Sequence, residues 1–588
     1  MAGRAQPNRP GACWDQAENE MWTEYPRMNL PPGRIGGINV MARFCEMRKI
    51  RKPGKRAAVL AAGAALAPLG PALASLLGFQ LYPANYAWNQ NITNAPVAAN
   101  SANMIALIGG TVKIHPDWGE DSPANTNSPL YGIPYNVVHG NSIARINVII
   151  DNYPGESDIL AVPIPANALI EGDYQSGPNP NGGGYDSIQR GDSHLIVWDE
   201  DNNVGYELYG VTRPTDPTLF PNTDGVEVPH TDGLWHAAQE TVWNFSTDSF
   251  RLLGETSADA AGLSILAGLA RPDEGSTVAQ GGQGAITHAL RMTLSQNAVS
   301  QQYIYPASHM VSESGTIPLG TRLRLKSTSA VNTLISTMGP QSQIVARAMQ
   351  QYGLIVADVG TSMYVSGTSA SQNATNGISL TWNMTDILSG LEQLRANDFD
   401  VVNLTPIVTG LSAAGGSPGN ALTVLGQNFS GAAGRESVFF GRTAASSVNV
   451  ISDTQIAVTV PAGSGTVDVT VQSGTNEVDN VSDSPNANGN APIFGYGISA
   501  LTTADKFTFL AASPMFQHVT LSGGNIILSG TNNGAPDGTY HVLTTTNLLL
   551  PQTNWTVLAG GSFDTAGRFW FTNAIATNTW QFYSLRVP

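Results

Sequence analysis

Cysteine is nearly absent from this chain. Its 588 residues include only Cys13 and Cys45, and both precede a leader-like segment. The remainder therefore has no thiol nucleophile, no disulfide and no cysteine metal site. An exported chain without disulfides relies on large cores, and bound calcium is a further source of stability open to it. Charge is also scarce, at 12% of residues against 42% hydrophobic. Apolar runs recur throughout, so the low charge does not mean disorder. With 62 Gly and 36 Pro, the composition suits a turn-rich β protein and not a helical bundle. Of the charged residues the basic ones are the scarcer: 17 Lys+Arg follow Ala74, against 39 Asp+Glu. That excess of acid argues against nucleic acid and anionic membranes as partners. No His-x-His or His-Glu-x-x-His spacing occurs among the nine histidines.

The first 74 residues differ from the rest. Arg48-Lys49-Ile50-Arg51-Lys52-Pro53-Gly54-Lys55-Arg56 is a basic stretch, Ala57 to Leu69 is apolar, and Ala72-Leu73-Ala74 has the small-x-small form of a cleavage site. The pattern predicts a signal peptide over 47–74, with 1–46 an overextended start and Met41 or Met47 the true one. Gly63, Pro68, Gly70 and Pro71 interrupt the apolar run well short of the roughly 20 clean residues of a membrane span. The expected location is outside the cell or on its surface, with no membrane insertion after cleavage.

A chain this long predicts several cores. The first module is expected over 79–402, with strands at Arg145 to Asp151, His194 to Trp198, Val204 to Tyr209, Ile286 to Leu294 and Thr321 to Leu325. Helices are expected at Gln341 to Tyr352, which stops at Gly353, and at Asp386 to Arg395. The fold class that follows is mainly β: a large β-sandwich or jelly roll with a few peripheral helices. Further modules are expected over 403–474 and 494–588, joined by a polar Asn, Ser, Asp and Gly linker over 475–493.

Within the second module, Leu404-Thr405-Pro406-Ile407-Val408 and Ala421-Leu422-Thr423-Val424-Leu425-Gly426-Gln427-Asn428-Phe429 are followed by Val438-Phe439-Phe440-Gly441, Ser452-Asp453-Thr454-Gln455-Ile456 and Gly465-Thr466-Val467-Asp468-Val469. In that order they resemble an IPT/TIG domain, which implies an immunoglobulin-like sandwich serving as a spacer, adhesion or carbohydrate-associated module without catalytic residues. The last module, with Gly538-Thr539-Tyr540-His541-Val542-Leu543 and Phe582-Tyr583-Ser584-Leu585, is similar to C-terminal modules of exported bacterial surface proteins. A packed sandwich core accounts for its Trp555, Trp570 and Trp580 more simply than glycan binding does. In the first module, Trp235-His236-Ala237-Ala238-Gln239-Glu240, Arg271-Pro272-Asp273-Glu274 and Tyr305-Pro306-Ala307-Ser308-His309 resemble a widespread exported microbial family. That resemblance transfers no role to any residue.

Seven of the nine histidines fall between His115 and His309, and the residues between Asp192 and His309 concentrate chemistry in the first module. A two-residue turn at Asp201-Asn202 would pair Ile196 with Glu207 and place His194, Trp198 and Glu207 on one face. His288 would lie on a strand with aliphatic neighbours, and His309 at a strand end. Asp259, among small residues, is either a site carboxylate or, with Ser257, a helix N-cap. Asp273 and Glu274 could act on substrate or form a solvated turn.

Glycoside hydrolysis needs a protonated carboxyl and an ionised one. Asp259, Glu274, Glu207 and Asp273 are the candidate catalytic acids. His194, His288, His309 and Arg291 are candidates to bind substrate or tune them, and Trp198 and Trp235 to stack on sugars. The expected partner is a polysaccharide or cell-surface glycan, and this reading requires no cofactor. Alternatives are a polysaccharide lyase, a non-enzymatic glycan-binding or adhesion protein, and a metal-dependent oxidase or hydrolase gathering His194, His288 and His309 round a transition metal. Gly415-Gly416-Ser417-Pro418-Gly419 has the G-x-S-x-G form but lies in a loop of the sandwich. Asp199-x-Asp201-x-Asn203 lacks the glycine of a calcium loop.

Overall fold

The structure is a computed structural model. It describes residues 75–587 apart from 77–78, 119–131, 174–191, 216–219, 222–226, 229–231, 248, 312, 369–379, 477–492, 511–513, 533–537 and 576–579. The leader, and most of the linker expected over 475–493, lie outside the described residues. Architecture is mainly β, with few helices. Among the described residues no helix is long and apolar enough to cross a membrane.

Two sheets organise the first module. One runs, neighbour to neighbour, Gln239–Asn244, Val204–Tyr209, Leu195–Asp199, Tyr135–Val138. Its hairpin has the register the turn predicts, with Ile196 opposite Glu207 and Asp199 opposite Val204. Leu195 and Val197 point into one core and Ile196 and Trp198 into another. A strand buried on both faces reads as a continuous apolar run, as this one does.

The second sheet is mixed, in the order Phe399–Val401, Arg322–Leu325, Leu354–Val359, Leu290–Leu294, Tyr364–Ser366, His115–Asp117. Its 290–294 strand pairs in parallel with 354–359 and antiparallel with 364–366, which pairs in parallel with 115–117. Helix Pro340–Gln351 covers it with Val345, Ala348 and Met349, and Gly353 ends it at φ +75°, a conformation glycine adopts without strain. The Asp386 carboxylate of helix Met384–Leu391 accepts from the Gln341 and Ser342 amides at 2.9 and 3.4 Å. Those amides have no partner inside their own helix, so one helix caps the other. Expected strands shorten at their ends: 145–151 to Val148–Ile150 and 286–294 to Leu290–Leu294. His288 therefore precedes the strand instead of lying on it.

The immunoglobulin-like module has one sheet of Ile407–Leu411, Ala421–Gln427, Gln455–Thr459 and Val448–Ser452. Its second sheet departs from the boundaries drawn above. Strand Thr466–Asn476 runs past 474 and pairs with Ile493–Ile498 and Lys506–Phe509, both expected in the last module. Phe507 and Phe509 pack with Phe440 inside this sandwich, so apolar burial settles which module owns them. Gly415–Gly416 is a strand fragment beside Thr508 and Phe509, not an elbow leading into a helix.

The sandwich is not a bead on a string. Gln90 donates to Ser430 O at 2.9 Å and Tyr305 Oη to Gly431 O at 2.7 Å. The Arg435 guanidinium lies 4.5 Å above the Phe250 ring, and Ala433 and Phe494 join the first module's core. The last module, from Met515 on, is two three-stranded sheets around Tyr540, Val542, Phe563 and Phe569. The core reading of its tryptophans fails for two of them: Trp570 is 57% and Trp580 84% exposed.

Candidate functional site

Strand alternation builds the site. In Ile114-His115-Pro116-Asp117-Trp118 the buried residues are Ile114, Pro116 and Trp118, which leaves Asp117 on the partly open face. Its register partner is Ser366, whose hydroxyl accepts a hydrogen bond from Arg291. On the next strand a bulge sets Asp358, instead of Ala357, opposite Thr293. Thr293 and Arg291 share a face, so the extra residue turns Asp358 to the Arg291 side. Arg291 grips Asp259 with Nε at 2.9 Å and Nη2 at 2.7 Å and reaches Asp358 at 3.4 Å. From the other sheet comes His194, whose Nδ1 lies 2.8 Å from the Glu171 carboxylate and Nε2 3.1 Å from Ala258 O. Asp192, two residues earlier, is exposed and lies near the His194, Glu171 and Arg291 charges.

Electrostatics follow from this crowding. Burial, then the Glu171 charge, pushes the Asp117 carboxyl up to about 7. Burial raises Asp192, against the pull of the His194 charge. Burial and the Asp259 charge raise Asp358 well above the carboxylate range, and a side-chain hydrogen bond with Asp259 adds to the rise. Burial would depress His194, but the Glu171 and Asp192 carboxylates outweigh it and push the imidazole up to about 9. Protonatable acids therefore stand around a fixed Arg291 cation, and such a cleft can both give and take a proton near neutrality. Asp117 makes no hydrogen bond among the described residues, so its carboxyl is uncommitted.

Of the residues expected to do chemistry, Asp259, His194 and Arg291 come together here, though Asp259 is fully buried behind Arg291. Its N-cap alternative is replaced: the short helix Ile265–Gly268 starts later and is capped by Ser264. Glu207 is not at the site. It is fully buried and accepts from Trp243 Nε1 at 3.0 Å, Ser264 Oγ at 2.7 Å and the amides of Ile265 and Leu266 at 2.8 and 2.9 Å. It ties the first sheet to the short helix. Glu274 is equally buried, between Arg271 at 2.8 Å and His288 at 3.0 Å, which makes it structural and not a solvated turn. Asp273 beside it is buried too, and burial pushes it up to about 6.

Trp198 is fully buried, with Nε1 donating to Asn203, and cannot stack on a sugar. Trp235 packs half-buried against the smaller core, the one that holds Leu195 and Val197. The imidazoles are not gathered: both ring nitrogens of His288 are engaged, by Ala289 O and Glu274, and His309 Nδ1 lies 2.8 Å from Ala260 O. Among the described residues no three His, Cys, Asp or Glu side chains are set to hold a metal ion. Asp199 accepts from Gly140 N and Arg145 Nη2, each at 3.1 Å, as part of the hairpin turn.

Asp117, Glu171 and Asp358 were missed by the sequence reading, and Asp192 was not assigned a role. Two signals were present: polar residues alternating with apolar ones at 114–118, and a lone aspartate inside Leu354-Ile355-Val356-Ala357-Asp358-Val359.

One consequence is a pH dependence of stability. Glu207 and Glu240, both pushed up to about 7 by burial, and Asp273 at about 6 bind protons more tightly folded than unfolded. Their contribution is complete below about pH 4 and is lost as pH rises through 6 to 7. His194, also raised, contributes below its ordinary 6.5 and loses that through 9. All act in one direction, for a total on the order of several kcal/mol. Calorimetry should find Tm falling by roughly 5–10 °C between pH 5 and pH 9; a Tm that rises over that range would contradict these environments.

Comparison with known proteins identifies one module. Residues 406–487 match the IPT/TIG domain family, so that part of the chain is an IPT/TIG domain. No curated protein matches the chain. Among solved structures it is similar to the gamma-CGTase of alkalophilic Bacillus clarkii, at 14% identity and TM-score 0.14 over 33% of this chain and 25% of that one. It is also similar to an auxiliary nutrient binding protein from Bacteroides ovatus, at 15% identity and TM-score 0.14 over 30% and 38%. A third is the SGBP-B protein of the Bacteroides ovatus mixed-linkage glucan utilization locus, solved with a mixed-linkage heptasaccharide, at 16% identity and TM-score 0.12 over 30% and 46%. In each case the chain spans less than half of the other protein's length.

Proposed function

We propose that this chain is an exported, modular carbohydrate-active enzyme, a glycoside hydrolase whose acid and base are Asp117 and Asp192. The observation that carries the reading is the grouping of carboxyls: Asp117, raised and without a hydrogen bond among the described residues, and exposed Asp192 stand beside the Arg291 cation. Asp117, with a proton near neutrality, would give it to the leaving glycosidic oxygen. Asp192 would attack the anomeric carbon or activate a water. Arg291 and the Asp259–Asp358 pair hold the floor, and His194 with Glu171 orients the Asp192 loop.

A polysaccharide panel, read by reducing ends and by mass spectrometry, tests this with wild type and Asp192→Asn. Hydrolysis by wild type that falls by about 10²-fold or more in the variant supports it. Unsaturated products would replace hydrolysis by elimination. Retention of a glycan without any cleavage would leave a binding protein. That second reading has its own observation, the exposed Trp570 and Trp580 faces, because exposed indoles can stack on sugar rings.

A further inference from the structure

Where the first module meets the immunoglobulin-like one, a cavity of about 680 Å³ opens between Asn100, Tyr305, Arg322, Asn403 and Tyr496. This volume falls in the range of small-molecule sites, which favour module junctions. Its lining is mostly aliphatic or backbone, and Arg322 is its one charged residue; no Asp, Glu or Lys lines it among the described residues. That is unexpected in a chain with net charge −16.

Arg322 is 3% exposed, and its partners are all uncharged: Tyr352 O from Nε at 2.7 Å, Ala87 O from Nη1 at 2.7 Å, Gln90 O from Nη2 at 3.0 Å, and the Tyr496 hydroxyl oxygen. Carbonyl dipoles satisfy N–H groups but do not neutralise the charge, and a buried charge without a counter-ion is costly. Burial accordingly pulls this guanidinium down to about 10. Beside it the Tyr496 hydroxyl is buried; its oxygen faces the Arg322 guanidinium as an acceptor, and its own proton has no acceptor among the described residues. Buried hydroxyls are normally paired, so this one is a donor awaiting an acceptor.

We infer that this junction cavity binds a small organic carboxylate with an apolar body, its carboxylate taken by Arg322 and the Tyr496 hydroxyl. The carboxylate supplies both what Arg322 lacks and what Tyr496 lacks, and the apolar body fits the remaining wall. This site is separate from the carboxyl cleft, and it stands or falls independently of the hydrolase reading.

Titration calorimetry of the full chain tests it with benzoate, hexanoate, D-glucuronate and the neutral counterpart benzamide. Arg322 also braces three carbonyls, so the variants spare it: Tyr496→Phe removes one hydroxyl, and Ala99→Trp fills the cavity from an exposed lining position. Benzoate and hexanoate should bind saturably, about tenfold or more tighter than benzamide. Tyr496→Phe should weaken them about 5–10-fold and Ala99→Trp should abolish binding, with urea midpoints unchanged. Benzamide binding as tightly as benzoate, glucuronate binding tighter than both apolar acids, variants binding like wild type, or no saturable binding of any acid would each overturn the assignment.

Discussion

Asp117→Asn is expected to lower kcat/KM on the hydrolysed glycan by about 10²–10⁴-fold, the range for removing a positioned general acid. The argument rests on placement. Asp117 ends a strand on its open face, makes no hydrogen bond among the described residues, and is pushed up to about 7 by burial and the Glu171 charge. A proton donor works only while protonated, so wild-type activity should fall as pH rises through about 7, and that limb should vanish from the residual activity of the variant. The substitution is nearly isosteric, and the site is already crowded with acid, so the fold should tolerate it. If Asp117→Asn kept full activity with an unchanged pH profile, the proton donor would have to be sought in Asp358, whose carboxyl is also raised by burial and the Asp259 charge.

Glu207→Ala should produce the largest loss of stability, about 3–5 kcal/mol, read as a lowered urea midpoint at constant slope. The carboxylate accepts from Trp243, Ser264, Ile265 and Leu266, all fully or almost fully buried. Truncation strands four donors away from water and unties the first sheet from the short helix. Glu207→Gln keeps the volume and part of the bonding and should cost less. Since Glu207 has no exposed surface, the Gln variant, once folded, should hydrolyse glycan at the wild-type rate. A folded Glu207→Gln protein with lost activity would return Glu207 to the catalytic candidates.

Particular residues show how far the sequence could be read. The hairpin register was legible because one turn length and strict alternation leave a single pairing, and Ile196 does face Glu207. The helix 340–351 was legible because its buried positions repeat at helical spacing and Gly353 stops it. Histidine clustering pointed to the module that holds Asp117 and Asp358 but not to those two acids. Glu207, Glu274 and Asp273 look reactive in a sequence, yet a carboxylate that ties buried elements together has the same letters as one that works on substrate. Asp117 and Asp358 could not be paired by inspection: they are far apart in the chain, and one bulge between Met292 and Thr293 decides which way Asp358 faces.

By itself the sequence determined the local matters, namely a mainly β chain low in charge and rich in turns, a domain of IPT/TIG type, and the hairpin and helices with their stops. Each depends on residues near one another along the chain, where periodicity and turn chemistry act directly. The tertiary structure alone decided the rest. It placed Asp117, Asp192 and Asp358 around Arg291, buried Glu207 and Trp198, lent strands 493–498 and 506–509 to the sandwich, and enclosed Arg322 at a module junction. These outcomes depend on which faces of distant strands meet. Burial and field strength, which set whether a carboxyl holds the fold or moves a proton, exist only once they have met.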